Sequence, residues 1–235
     1  AMANSAEVAQ LLAPLTQLHP QIIFSYLVPN LKGLERAKAV QAKEVAIFLA
    51  LSEQFSSANI NQSVEESFHA IASTIHAALA HGMRVRGYLS NVFGYTDYPF
   101  NPTDVAARSS QLLAMGCFEV SLGDTTGIGT PTQVEAVIAA LSAHAVPLEK
   151  IAMHFHDTFG TAIKNVDRSY ALGIRTFDAS TGGTGGCPYA NSPKGNLALE
   201  DLLTWCDTHG IDHGITNRAA LEKAARFIKE KLGKA

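Results

Sequence analysis

Short apolar runs alternate with helical patterns six times between Gln21 and His209, at about 31 residues per repeat. The runs at 21–28, 44–51, 84–92, 118–122, 151–155 and 176–180 are rich in β-branched and aromatic residues and read as strands. Helical patterns follow at 31–42, 63–81, 103–114, 132–144, 158–172 and 197–208, and an amphipathic helix covers 218–231. Ser63 with Glu66 makes a capping box at the start of the second of these helices. Strands that are apolar almost throughout belong to a parallel sheet covered on both faces. That leaves an open doubly wound sheet or a (β/α) barrel. The period matches a barrel of about 250 residues in eight units, although only six units are legible here. No shift in composition marks a linker, so residues 1–235 are expected to form one domain.

Composition narrows the function classes. Hydrophobic residues at 47% against 17% charged exclude intrinsic disorder. No apolar run approaches the roughly 18 residues needed to span a bilayer. A net charge of −3 without a Lys/Arg run argues against a nucleic-acid partner. Three cysteines, Cys117, Cys187 and Cys206, show no metal-binding spacing and fit a reduced, cytoplasmic protein. An enzyme or a binding domain is expected.

The segment IAMHFHDTFG places His154 and His156 two residues apart on a strand, so both point to one face, about 6–7 Å apart. They lie at the strand's C-terminal end, where barrels and open α/β sheets carry their sites. Two imidazoles so placed suit one divalent metal, or they hydrogen-bond to neighbouring loops. Asp157 can cap the next helix under either reading.

In DASTGGTGGCPYANSPKGNLALED, Gly182, Gly183, Gly185 and Gly186 exceed what a simple turn requires. They lead to Cys187, held extended by Pro188, as a candidate acid or base near the metal; the alternative is a flexible loop with an incidental thiol. Asn196 can cap the following helix or bind metal. In EVSLGDTTGIGTP, Ser121, Asp124 and Thr125 cluster at a strand end. Asp124 is there an active-site carboxylate or a cap, and Gly127-x-Gly129 is a turn rather than a dinucleotide fingerprint. Asn30 and Lys32 follow the first strand, Tyr88 can point inward, and Trp205 and Cys206 pack in a helix.

HFHDTFG, SLGDTTGIGTP and GGTGGCPYA followed by KGN and ED resemble 3-hydroxy-3-methylglutaryl-CoA lyase, as do PNLKG and AKEVAIFLALSEQFSSANIN. The resemblance runs over nearly the whole chain, and GGCPYA is its most specific part. It implies a TIM (β/α)8 barrel that cleaves its CoA thioester to acetyl-CoA and acetoacetate with Mg²⁺ or Mn²⁺, in leucine degradation and ketone-body formation. It implies His154, His156 and Asn196 as metal ligands, and Cys187, Asp124, Glu200 and His154 as catalytic residues. Ser121, Thr125 and Tyr88 would line the acyl pocket, and Asn30 with Lys32 would lie near CoA. An acyl-CoA substrate and a homodimer or higher homo-oligomer are the partners expected. The alternatives are a related metal-dependent aldolase, a Claisen-type acyl-CoA synthase, or a non-catalytic CoA-binding remnant.

Two departures stand out. The family's opening strand carries Arg–Asp–Gly and its second strand a glutamate; neither has a counterpart here, and residues 1–16 resemble the segment after that second strand. The expectation is a piece of a longer barrel, with long apolar sheet edges exposed, that alone binds metal weakly and lacks lyase activity. Residues 90–101, SNVFGYTDYPFN, replace the family's cysteine-rich SCxLGCPYEG, which points to a different or broader 3-hydroxyacyl group.

Overall fold

Six parallel strands lie side by side in chain order: β1 (Ser25–Leu27), β2 (Glu44–Ala50), β3 (Arg84–Ser90), β4 (Glu119–Asp124), β5 (Ile151–Phe155) and β6 (Thr176–Asp178). The computed structural model describes residues 4–186 and 195–233. Parallel neighbours need a crossover, and helices provide each one. These are α2 (Leu31–Ala39), the pair α3 (Glu53–Ile60) and α4 (Val64–Ala80), α5 (Pro102–Ala114), α6 (Pro131–Ala143) and α7 (Ala162–Ala171). Helix α1 (Ser5–Leu18) precedes β1, while α8 (Leu199–Thr208) and α9 (Arg218–Lys231) follow β6. The arrangement is six of the eight units of a TIM-type barrel, with β1 and β6 at its two edges.

Alternation along the strands separates two faces. Val45, Ile47, Leu49, Val85, Leu89, Val120, Leu122, Met153 and Phe155 are buried in one continuous core with Phe68, Ile75, Leu112 and Leu141 of the covering helices. The other face carries Arg86, Tyr88, Glu119, Ser121, His154 and Asp178 toward the barrel axis. Trp205 packs edge-on against Tyr170 at 5.4 Å between centroids, a packing role as expected.

The sequence expectations hold for the six parallel strands joined by helices and for the capping box of α4, where Ser63 and Glu66 satisfy each other's backbone N–H. They fail at the edges. The strand expected at 21–28 is only Ser25–Leu27, because one side has no partner among the described residues. Both edge strands are three residues long, so the long exposed edges expected are not found. The exposed apolar surface at the β1 edge is Leu27 of the strand with Ile22 and Ile23 before it, 57%, 47% and 53% accessible. Helix α3 was not expected, since EQFSSANI carries little apolar periodicity; Ser52 starts it by accepting the Phe55 N–H. Among the described residues no helix is long and apolar enough to cross a membrane.

Candidate active site

An ionic cluster forms the floor of the site. Arg86 of β3 donates from Nε to Glu119 (2.6 Å) and from Nη1 to Asp178 (2.8 Å) and the Tyr88 hydroxyl (2.5 Å). Register explains the convergence: Arg86 pairs with Glu119 across β3–β4, and His154 with Asp178 across β5–β6. Burial works against the Arg86 charge, yet Asp178, Tyr88 and Glu119 hold its pKa above the ordinary value. Burial likewise opposes ionisation of Asp178, but His154, Arg86 and Ser121 keep its carboxyl below the usual range. Ser121 donates its hydroxyl to Asp178 Oδ2 at 2.7 Å.

Above this floor, at the C-terminal ends of the strands, His154 and His156 stand 5.4 Å apart between ring centroids. Both line a cavity of about 540 Å³ together with Tyr88, Ser90, Thr125, Gly186 and Asn196. Phe48, Phe55, Leu27 and Leu89 form its apolar wall. Burial, with the nearby His154, pushes His156 down to about 4, so the ring is neutral near pH 7 and offers a lone pair. Its hydrogen bonds go to the Thr125 backbone and the Asn196 side chain. Asn196 reaches it through a single antiparallel bridge to His156, and its Nδ2 donates to the Thr184 carbonyl. Asn196 is thus no helix cap; Ala198 holds that position for α8.

Among the described residues no three His, Cys, Asp or Glu side chains converge to hold a metal. Two imidazoles and one amide are three neutral donors on one cavity, a fit for a divalent cation whose remaining positions a ligand's oxygens complete.

The carboxylates expected to act chemically accept backbone N–H groups. Asp124 is buried, and its two oxygens accept the N–H groups of Ile128 and Gly129 at 3.1 Å each. It holds the turn after β4, where Gly127 has φ +71 and a Cβ would collide with Thr158. Burial raises the Asp124 carboxyl to about 7, against the pull of those backbone N–H groups. Glu200, in the first turn of α8, accepts the Gly182 N–H. Both carboxylates shape loops around the cavity. Cys187 lies outside the described residues; Gly186, the residue before it, lines the cavity.

Thr125 lines the cavity, and its hydroxyl accepts the Asn91 N–H at 2.8 Å. Tyr88 packs edge-on to His154 at 6.3 Å, and Ser121 sits below it in the floor. Asn30 and Lys32 are not brought to the histidines. They line a separate cavity of about 560 Å³ between α2, β2 and α4, with Phe48 shared by both, and the Asn30 side chain caps α2 through the Gly33 N–H.

Sequence reasoning passed over Arg86, Glu119, Asp178, Phe55 and Asn59. Charged residues inside apolar strands were the available signal for the first three, since such side chains stay buried only when paired. Phe55 and Asn59 carry no such signal, because they lie on the helix that the apolar pattern does not reveal.

The comparisons bear on this geometry. A Pseudomonas aeruginosa 3-hydroxy-3-isohexenylglutaryl-CoA/hydroxymethylglutaryl-CoA lyase is 43% identical over 227 residues, 96% of this chain and 74% of its own length. The crystal structure of hydroxymethylglutaryl-CoA lyase from Pseudomonas aeruginosa superposes with a TM-score of 0.91 at 42% identity, covering 100% of this chain and 76% of that one. An HMG-CoA lyase from Acinetobacter baumannii, solved in complex with coenzyme A and 3-methylmalate, gives 0.83 at 31% identity over 90% of this chain and 69% of its own. The HMGL-like family model matches residues 2–228, and the chain, with its paired strand-end histidines, belongs to that family.

Proposed function

We propose that the protein is a divalent-metal-dependent carbon–carbon lyase that cleaves 3-hydroxy-3-methylglutaryl-CoA, or a close 3-hydroxyacyl-CoA, to acetyl-CoA and an oxo acid. The observation that carries this reading is the convergence of His154, His156, Asn196 and Thr125 on one cavity at the C-terminal ends of parallel strands. Its apolar wall of Phe48, Phe55 and Leu89 suits the alkyl part of an acyl group.

The chemistry asks for three things. The tertiary hydroxyl loses its proton, the adjacent C–C bond breaks, and the electron pair passes to the thioester as an enolate that then takes up a proton. A cation held by His154, His156 and Asn196 would supply a Lewis acid for the oxygen on which charge develops. Asn196 and the Thr125 backbone fix the His156 ring, and burial keeps that ring neutral, the form in which imidazole ligates a metal. Tyr88 sets one side of the His154 ring. The largely apolar wall limits water around the developing charge, which would strengthen its attraction to a cation held there. Cys187 is the residue we assign to proton transfer with the substrate. Asp124 and Glu200 act by shaping loops, since their carboxylates already accept backbone N–H groups. We assign Asn30 and Lys32 to the CoA moiety, since their cavity shares the Phe48 wall with the acyl site. The cytoplasm is the compartment we propose, where the free, buried Cys117 and Cys206 stay reduced.

The test is release of acetyl-CoA and acetoacetate from 3-hydroxy-3-methylglutaryl-CoA by the protein as encoded, with Mg²⁺ or Mn²⁺. Activity that is lost with a chelator and in His154→Ala supports the reading. Turnover unaffected by either change overturns it.

A further inference from the structure

We propose that Asp178 is the positioning residue of His154: its carboxylate holds the ring in the Nδ1–H tautomer and turns the Nε2 lone pair to the cavity. His154 Nδ1 is buried and makes no hydrogen bond within the usual geometric limits. Its acidic neighbour is Asp178 Oδ2, 3.4 Å away, within reach of a small ring rotation.

The carboxylate is fixed from two sides. Arg86 Nη1 donates to Oδ1 at 2.8 Å and the Ser121 hydroxyl to Oδ2 at 2.7 Å, so strands β3 and β4 both hold a side chain that belongs to β6. His154 and Asp178 are register partners on β5 and β6, which sets the ring beside the carboxylate from the backbone up. Tyr88, edge-on to the imidazole at 6.3 Å, limits the ring's swing. A neutral imidazole has one N–H and one lone pair. With Oδ2 facing Nδ1, the proton belongs on Nδ1, because a lone pair there would face an oxygen lone pair. Nε2 is then left as the acceptor or ligand, on the side where His154 lines the cavity with His156 and Asn196. A carboxylate behind a ligating histidine fixes the ring's orientation and raises its basicity. Glu119 completes the device from the far side, pairing with Arg86 Nε at 2.6 Å so that the guanidinium stays aimed at Asp178. The metal part of this inference rests on the reading of His154 as a ligand; the tautomer part does not.

Asp178→Asn is the informative variant. Arg86 can only donate, so the amide oxygen must occupy the Oδ1 position, and the amide NH₂ then faces His154 and donates to Nδ1. The tautomer should invert. Long-range ¹H–¹⁵N correlation spectra of histidine-labelled protein, at a pH where the ring is neutral, should show Nδ1–H for His154 in the wild type and Nε2–H in Asp178→Asn. Mn²⁺ affinity by calorimetry should fall about 10- to 100-fold in Asp178→Asn, and should fall in the same direction but less in Ser121→Ala, which loosens the carboxylate without removing it. Should Asp178→Asn fail to fold, the Ser121→Ala affinity and the wild-type tautomer carry the test. A wild-type Nε2–H tautomer overturns the inference, as does unchanged Mn²⁺ affinity in the variants. Wild-type protein that binds no Mn²⁺ overturns the metal reading of the site, while the spectra still decide the role of Asp178.

Discussion

Both carboxylate oxygens of Glu200 accept the N–H of Gly182, at 3.1 and 2.9 Å, tying the first turn of α8 to the glycine-rich segment that follows β6. Gly182 has φ +68, a left-handed conformation that other residues adopt at a cost, so the tie and the glycine depend on each other. Glu200→Ala is expected to lose about 1.5–3 kcal/mol of stability, the range for a hydrogen bond to a charged group. Cleavage by a protease at the glycine-rich segment should speed up more than global unfolding does. Equal rates of cleavage in wild type and variant would show that Glu200 does not anchor the segment.

The Arg86 cluster invites a different measurement. Removing the guanidinium in Arg86→Met leaves Glu119 and Asp178 as partly buried carboxylates without their shared cation. Breaking a buried pair from one side costs about 3–5 kcal/mol, because an uncompensated charge stays behind. The double variant Arg86→Met with Glu119→Gln should recover part of that loss in urea unfolding. A single variant as stable as the wild type would show that the two carboxylates are solvated or protonated without Arg86.

The sequence made the strand–helix repeat, the parallel pairing and the paired histidines legible, because each rests on local patterning. Period-2 alternation puts His154 and His156 on one face whatever surrounds them. The roles of Asp124 and Glu200 were not legible, since a carboxylate at a strand or helix end looks the same whether it meets a ligand or a backbone N–H. Only the turn at 127–129 and the position of Gly182 decide it. The Arg86–Asp178 contact joins residues 92 apart in sequence, so no local pattern reports it. The short β1 has the same origin: its residues have strand propensity, but pairing on one side limits how far the ladder runs.

The pH dependence of stability should carry the signature of Asp124. Burial raises its folded pKa to about 7 from an ordinary value near 3.8. A raised carboxyl favours the folded state while protonated. Its contribution is therefore complete below about pH 4 and is lost as pH rises toward about 7, with a slope of at most about 1.4 kcal/mol per pH unit. Compared with Asp124→Asn, which cannot ionise, the wild type should lose stability across that window and run parallel to the variant above it. A constant difference from pH 4 to 7 would mean that the N–H groups of Ile128 and Gly129 offset burial entirely.

Asp97 tests whether the divergent 90–101 segment governs the acyl pocket. Its carboxylate accepts the Ser52 hydroxyl at 2.5 Å and the Gln54 N–H at 2.9 Å, so it sits on the N-terminus of α3, where negative charge is favoured. Tyr95 of the same segment packs edge-on to Phe55 at 5.5 Å. Helix α3 in turn presents Phe55 and Asn59 to the cavity of the two histidines. The segment therefore positions the apolar wall through one helix, and it lines the cavity itself at Ser90. Asp97→Ala should loosen α3 and cost about 1 kcal/mol, the usual loss of a capping carboxylate. Its larger effect should fall on KM, with kcat changing less, because the wall touches the acyl group while the histidines stay in place. Tyr95→Ala should act the same way and should narrow the difference in kcat/KM between 3-hydroxyacyl-CoA substrates with short and long 3-alkyl groups. If both variants lower kcat and leave KM and that difference untouched, the segment serves the chemistry and not the choice of acyl group.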